Sequence, residues 1–78
     1  MRKLRDPDSG CPWDLEQTVR SMAPSLVEEA FEAVEAIETQ GDDATVEELG
    51  DVLLVVALVC RIAQDEGRFD LAAAAGAV

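Results

Sequence analysis

The sequence contains no histidine, and its aromatic residues are one tryptophan and two phenylalanines. The absence of imidazole excludes a His-ligated zinc site and any Ser/His or Cys/His nucleophilic couple. The two cysteines, Cys11 and Cys60, are far apart and match no metal-binding spacing. We therefore interpret them as reduced structural thiols of a cytoplasmic protein, in preference to a disulfide.

Basic residues and long apolar runs are also scarce. Six Lys and Arg residues stand against 17 Asp and Glu residues, which gives a formal net charge of −11. This charge disfavours binding to a nucleic-acid backbone or an anionic membrane, although an acidic protein can still bind a polyphosphate when metal ions reverse the local field. The longest apolar run, residues 52–60, is too short to span a bilayer, which takes about 20 residues. The basic N-terminus leads into turn residues, not into the apolar stretch of a signal peptide.

The apolar pattern predicts an all-α chain. Hydrophobic residues recur at helical spacing from about Ser21 to Glu38, and a second helix is predicted from about Thr45 to Glu66. Residues 39–44 form the break between them, with Gly41 as a cap of the first helix. The alanine-rich tail, residues 69–78, predicts the start of a third helix.

The second helix predicts association between copies of the chain. Residues 52–60 are apolar on every face, and a helix of this kind must be buried on nearly all sides. Two helices and a short tail cannot surround it. We therefore expect one domain per chain, and at least a dimer whose helices jointly form a four-helix-type bundle.

Between Arg20 and Arg61 there are ten carboxylates and no basic residue. Like charges three or four residues apart on a helix repel by roughly a few tenths of a kcal/mol per pair. With no local base to offset this repulsion, a divalent cation is the obvious compensation. The acids are Glu28, Glu29, Glu32, Glu35, Glu38, Asp42, Asp43, Glu47, Glu48 and Asp51.

Two pairs of these acids have a spacing that suits a shared ion. Glu29 and Glu32 are three residues apart, as are Glu48 and Asp51, so each pair lies on neighbouring turns of one helix face. Magnesium takes about six oxygen ligands, usually a few carboxylates together with waters and substrate phosphates. Two antiparallel helices that each contribute one pair would form a half-open cage for Mg²⁺.

Helix capping explains some of the same acids without an ion. Ser25 with Glu28, and Thr45 with Glu48, match the Ser/Thr-x-x-Glu capping box. Acids near a helix N-terminus are also favoured by the helix dipole. Capping explains little at three positions: Glu29, Glu32 and Asp51.

Trp13 and Arg68 are the candidates for substrate binding. Trp13 is the only tryptophan, and its ring either stacks on a nucleobase or fills the core. Arg68 follows Gly67, where an arginine either meets a phosphate or caps the end of a helix. The sequence leaves both alternatives open.

A set of short motifs runs along almost the whole chain in order. They are LRDP at 4–7, GCPWD at 10–14, EQT at 16–18, LVEEAFE at 26–32, EELGD at 47–51 and EGRFD at 66–70. Together they resemble the MazG family of nucleoside triphosphate pyrophosphohydrolases. The resemblance implies the all-α fold of dimeric dUTPases and phosphoribosyl-ATP pyrophosphatases. It also implies conversion of a nucleoside triphosphate to the monophosphate and pyrophosphate, as house-cleaning of the nucleotide pool.

By motif position, the resemblance implies that Glu29, Glu32, Glu48 and Asp51 bind Mg²⁺, or Mn²⁺ in its place, with Glu28 as a supporting acid. The implied mechanism is metal-assisted attack of water on the α-phosphorus. Either Glu28 or Glu32 is expected to accept the proton of that water. The implied partners are a nucleoside triphosphate and further copies of the chain.

Two departures from the family pattern bear on activity. Val19 stands where the family often has a histidine, and the chain stops at Val78 where the family continues into a full helix and a basic segment. We therefore expect one MazG-like domain over 1–78, truncated at its C-terminal end, for which metal binding is a stronger expectation than turnover. The alternatives are a non-catalytic domain for dimerisation or nucleotide sensing, and an acidic helical interaction module.

Overall fold

A computed structural model of the chain describes residues 17–76, and the prediction for Trp13 falls outside this range. A 3₁₀ turn at Arg20–Met22 leads into helix α1, Ala23–Thr39, which is followed by α2, Asp42–Asp65, and α3, Leu71–Gly76. No strand occurs between residues 17 and 76. The predicted all-α class is therefore confirmed for the described part of the chain.

Helix α1 agrees with the predicted segment to within two residues at either end. Pro24 lies in its first turn, where the missing N–H costs no hydrogen bond. At its other end, the N–H groups of Gln40 and Gly41 both donate to the Ala36 carbonyl, at 3.0 and 3.2 Å. Both bonds satisfy the Ala36 carbonyl in the last turn, where the helix ends.

Helix α2 begins at Asp42, so the predicted start at Thr45 is wrong. The break is only Gln40 and Gly41, because Gly41 takes φ 92° and ψ −177° and reverses the chain at once. Thr45 already lies within the first turn, where its Oγ1 donates to the Gly41 carbonyl at 2.7 Å. A link this short makes α1 and α2 an antiparallel hairpin.

The two predicted capping boxes do not form. The residue before α1 is Met22 and the residue before α2 is Gly41, and neither provides a side-chain cap. Ser25 and Thr45 lie inside the helices. Glu28 and Glu48 are therefore not accounted for by capping.

The apolar core lies at the end of the hairpin away from the Gln40–Gly41 link. It consists of Met22, Leu58 and Ile62, with three partly buried valines packed against it. Cys60 is also buried and is a free thiol. Along α1 itself the only buried residues are Ala33 and Ala36, so the helix meets α2 through small side chains.

Much apolar surface stays exposed on the hairpin. Within the run 52–60, Leu58 and Cys60 are buried, but the exposed fractions of Leu53 and Leu54 are 69% and 51%. The all-round burial predicted for this run is therefore not reached within one chain, and association between copies stays a prediction. Between residues 17 and 76 no helix combines the length and the apolar character that a membrane span requires.

Helix α2 ends at Asp65 and the chain turns at Gly67, which has φ 72°, as the sequence predicts. The predicted third helix is present as α3, whose first turn is held by a hydrogen bond from the Ala73 N–H to Asp70 Oδ1 at 2.8 Å. The structure thus matches the predicted order of helices.

Replacing Gly41 with alanine should destabilise the hairpin by about 1–3 kcal/mol, because only glycine adopts its backbone conformation without strain. The measurement is urea-induced unfolding at fixed protein concentration. Gly50→Ala is the matched control: Gly50 lies inside α2 with no atom within 4 Å of an added Cβ. That variant should gain roughly 0.5–1 kcal/mol. Equal stability of Gly41→Ala and the wild type would contradict the account of the link.

Candidate metal centre

Three carboxylates from the two long helices converge near the middle of the hairpin. Glu29 extends from α1, and Glu48 and Asp51 extend from α2. One oxygen atom from each lies within 4.8 Å of the others. Glu29 and Glu48 are half-buried and Asp51 is exposed, so the cluster opens to solvent on one side.

Glu32, the fourth predicted ligand, lies beside this trio next to Glu48. The two carboxyl groups are close enough to share a hydrogen bond when one of them carries a proton. Glu32 and Glu48 also line a cavity of about 360 Å³, together with Glu35 and Gln40. The structure therefore brings all four predicted ligands to one region, with Glu32 at its edge.

Two oxygen atoms of this cluster are buried without a partner. When the carboxylates are ionised, neither Glu29 Oε2 nor Glu48 Oε2 has a hydrogen-bond donor. Leaving a charged group buried and unpaired is costly. Arg61, the first base after Arg20 in the sequence, pairs with Asp65 at 3.2 Å instead. Carboxylate oxygens are ligand atoms that Mg²⁺ prefers. The residues of this cluster therefore fit a magnesium ion.

The same crowding changes the acidity of two of these groups. Partial burial is the main cause that raises the pKa of Glu29, and the charges of Glu32, Asp51 and Glu28 add to it. Burial likewise raises the pKa of Glu48, followed by the charge of Glu32 and of its other acidic neighbours. Both shifts mean that ionising the metal-free cluster is unfavourable. A bound cation would lower the same two pKa values.

The two remaining predicted residues, Glu28 and Arg68, are not among the carboxylates that converge. Glu28 is exposed on α1 beside Glu29. Arg68 pairs with Glu66 at 3.3 Å and stands 5.8 Å from the centroid of the Phe69 ring. The helix from Asp51 to its end at Asp65 is about 20 Å long, so within one chain Arg68 is not near the acids.

Sequence reasoning missed the polar end of the cavity. Neither Glu35 nor Gln40 is among the predicted site residues, yet both line the cavity beside Glu32 and Glu48. The Gln40 side-chain amide donates to Glu35 Oε1 at 3.4 Å. The available signal was the three-residue step from Glu32 to Glu35, which continues the same helix face.

The fold and the acid cluster define an all-α hairpin with a site suited to a hard divalent cation. The model of the MazG nucleotide pyrophosphohydrolase domain matches residues 17–78. The chain belongs to this family.

Named relatives are similar over most of this chain. A nucleoside triphosphate pyrophosphohydrolase of Escherichia coli K12 is 49% identical over 70 residues, which cover 90% of this chain and 27% of that protein. The nucleoside triphosphate pyrophosphohydrolase/pyrophosphatase MazG of Thermotoga maritima is 49% identical over 71 residues, 91% of this chain and 28% of that protein. YabN of Bacillus subtilis is 48% identical over 71 residues, 91% of this chain and 14% of that protein. The chain thus spans about a quarter or less of the length of these relatives.

The metal-free chain should become more stable as the pH is lowered from 7 towards 4.5, the ordinary value for a glutamate. Because the pKa values of Glu29 and Glu48 are raised in the folded state, the folded chain binds more protons than the unfolded chain in this range. The free energy of unfolding therefore rises as the pH falls through the folded-state values. Urea unfolding in the presence of a chelator, at fixed protein concentration, measures this slope.

Two variants test the origin of the slope. Glu29→Gln removes one of the titrating groups and should flatten it. Glu38→Gln removes an exposed acid of the same helix and should leave it unchanged. An identical slope in Glu29→Gln and the wild type would exclude Glu29 as a source of the slope.

Proposed function

We propose that this chain is a Mg²⁺-dependent nucleoside triphosphate pyrophosphohydrolase that releases pyrophosphate and a nucleoside monophosphate. The observation that supports this most directly is the meeting of carboxylate oxygens from α1 and α2, two of them buried without a partner. Membership of the MazG family supports the same reaction class. So do the names of the relatives from Escherichia coli and Thermotoga maritima.

In this proposal Glu29, Glu48 and Asp51 hold the ion together with Glu32 at the edge of the cluster. A divalent ion bound there lowers the pKa of water and neutralises triphosphate charge, so an acidic chain can accept an anionic substrate. Mn²⁺ offers similar ligand preferences and is the proposed substitute.

The chemical step adds one water molecule across the bond between the α- and β-phosphates. The water oxygen bonds to the α-phosphorus, pyrophosphate leaves, and the proton of the water passes to a carboxylate. Glu28 and Glu32 are the two candidates for this base. Glu32 has the better position because it lines the cavity next to Glu48, whereas Glu28 lies on the exposed side of α1.

The proposed setting is the cytoplasm, where the chain would remove unwanted nucleotides from the pool. The free, buried thiol of Cys60 supports a reducing compartment. Trp13 and Arg68 stay proposed substrate contacts. Arg68 would need the partner subunit of an oligomer to bring it near an acid cluster, because within one chain it lies at the other end of α2.

Glu32→Gln and Asp51→Asn should each lower Mg²⁺-dependent pyrophosphate release by about 100-fold or more. Loss of outer-shell partners of a metal already costs 10–100-fold, and these residues are proposed as direct ligands. The assay follows pyrophosphate from a panel of nucleoside triphosphates with and without Mg²⁺. Glu38→Gln is the matched control and should retain wild-type turnover, because Glu38 is an exposed acid of α1 outside the cluster.

Two other results would identify the alternative functions. Mg²⁺ binding without cleavage of any triphosphate would point to a non-catalytic domain that dimerises or senses nucleotides. No response to Mg²⁺ at all, with unchanged stability in both variants, would leave an acidic helical interaction module.

We also propose that the chain forms a homodimer or a higher homo-oligomer. Val46, Leu49 and Leu53 recur at helical spacing, and their exposed fractions are 71%, 44% and 69%. On α1, Val27 and Phe31 are 70% and 68% exposed. Two helices of one hairpin with exposed apolar stripes of this kind support a bundle made from two hairpins.

Sedimentation at micromolar concentration should show a species of at least twice the mass of the chain. Leu53→Gln should shift it towards the monomer, because the substitution places an amide in the proposed interface. Leu71→Gln is the control: Leu71 is similarly exposed, at 50%, but lies on α3 away from the stripes. A stable wild-type monomer would contradict the proposed assembly.

A further inference from the structure

The hairpin carries its charge unevenly along its length. The half that contains the link between the helices, residues 28–51, holds ten acids and no base. The three bases of the described residues lie towards the opposite end, Arg20 at the start of α1 and Arg61 and Arg68 at the end of α2. Three acids accompany them there, so that end has no net charge. We call the two ends the acidic end and the balanced end.

The exposed apolar stripe of α2 lies on the side of the helix away from the acid cluster. Val46 and Leu53 are both exposed and are seven residues apart, so they share one face. At about 100° per residue, Glu48 and the buried Ile62 each lie about 160° from Val46 around the helix. A partner that packs on the stripe therefore covers apolar surface and leaves the acid cluster open.

A second copy of the chain fits this stripe in two ways. In a two-fold symmetric contact the same patch is used by both copies, so residue i meets j and j meets i. Antiparallel α2 helices with their stripes centred on each other bring Val46 of each copy against Leu53 of the other. Parallel helices bring Val46 against Val46 and Leu53 against Leu53. Both arrangements bury the same apolar side chains, so burial does not choose between them.

Charge distinguishes the two arrangements. In the parallel one the acidic ends meet, and Asp42 and Asp43 in the first turn of α2 lie beside the same residues of the second copy. Like charges opposite each other across an interface are strongly unfavourable. In the antiparallel one, the acidic end of each copy lies beside the balanced end of the other. Arg61 then lies about 6 Å along the helix axis from Asp42 of the second copy, within reach of its long side chain.

Arg61 has a donor that one chain does not satisfy. Its Nε lies 3.2 Å from Asp65 Oδ1, yet this buried nitrogen makes no hydrogen bond. A guanidinium offers five N–H donors, so Arg61 can contact Asp65 and a second carboxylate together. The acids at the acidic end of another copy are carboxylates of this kind.

We propose that two copies pack α2 against α2 in the antiparallel orientation, with the acidic end of each beside the balanced end of the other. This inference rests on the oligomer proposed above and specifies its geometry. The apolar stripe supplies the contact, and the uneven charge selects the orientation.

The test is disulfide cross-linking of Val46→Cys and Leu53→Cys, each combined with Cys11→Ser, while Cys60 stays buried. In the antiparallel dimer, the two copies of either position are about 10 Å apart along the axis, whereas a disulfide needs Cα atoms within about 7 Å. Under mild oxidation, the two variants refolded as a mixture should form a cross-linked dimer, and each variant alone should not. Val46→Cys mixed with Leu71→Cys is the control and should form no link, because Leu71 is also exposed but lies on α3.

The pattern of links separates the orientation from the assembly. Links formed by each variant with itself would indicate parallel helices and overturn the inference. So would a mixture that sediments as a dimer but forms no link. If Leu53→Cys fails to associate, Leu54→Cys takes its place with the same expectations. Sedimentation of the wild type as a monomer would instead refute the proposed oligomer itself.

Discussion

Carboxylates from two helices are held closer together than their mutual repulsion favours, and the rest of the hairpin is organised around that constraint. The apolar cluster of Met22, Leu58 and Ile62 fixes one end of the helix pair. The Gln40–Gly41 link fixes the other, and Ala36 is fully buried between. Packing at these points brings the acids together, since no base between Arg20 and Arg61 is present to attract them.

The consequence is a site whose metal-free form is electrostatically unfavourable. Two buried oxygens lack donors, and burial with neighbouring charges raises the pKa of Glu29 and Glu48. Only a proton or a cation relieves both features. An ion bound by these carboxylates would keep free coordination positions on the solvent-facing side of the cluster, and water and phosphate oxygens could occupy them. The same arrangement thus accounts for how a chain with a net charge of −11 would handle a triphosphate.

Helical periodicity and acid spacing predicted the two long helices and the acids that meet between them. The predicted start of α2 at Thr45 was wrong. Thr45-x-x-Glu48 matches a capping box in the sequence, but the backbone turns at Gly41 and the helix begins at Asp42. The hydrophobic pattern also could not predict which face of α1 is buried. Periodicity identifies an apolar stripe, but it cannot tell that the alanines pack on α2 while the larger residues stay exposed. The distance of Arg68 from the acids follows from the length of α2, whose end the periodic pattern predicts to within one residue, and not from the short motif that contains Arg68.

The most direct test of this account is the effect of Mg²⁺ on the free energy of unfolding at pH 7. If the ion binds the folded cluster and not the unfolded chain, a Mg²⁺ concentration one hundred times the Kd should add about 2.7 kcal/mol. The gain should disappear in Asp51→Asn and persist in Glu38→Gln. Stability that does not respond to Mg²⁺ in the wild-type chain would contradict the claim that the folded carboxylate cluster binds a divalent cation.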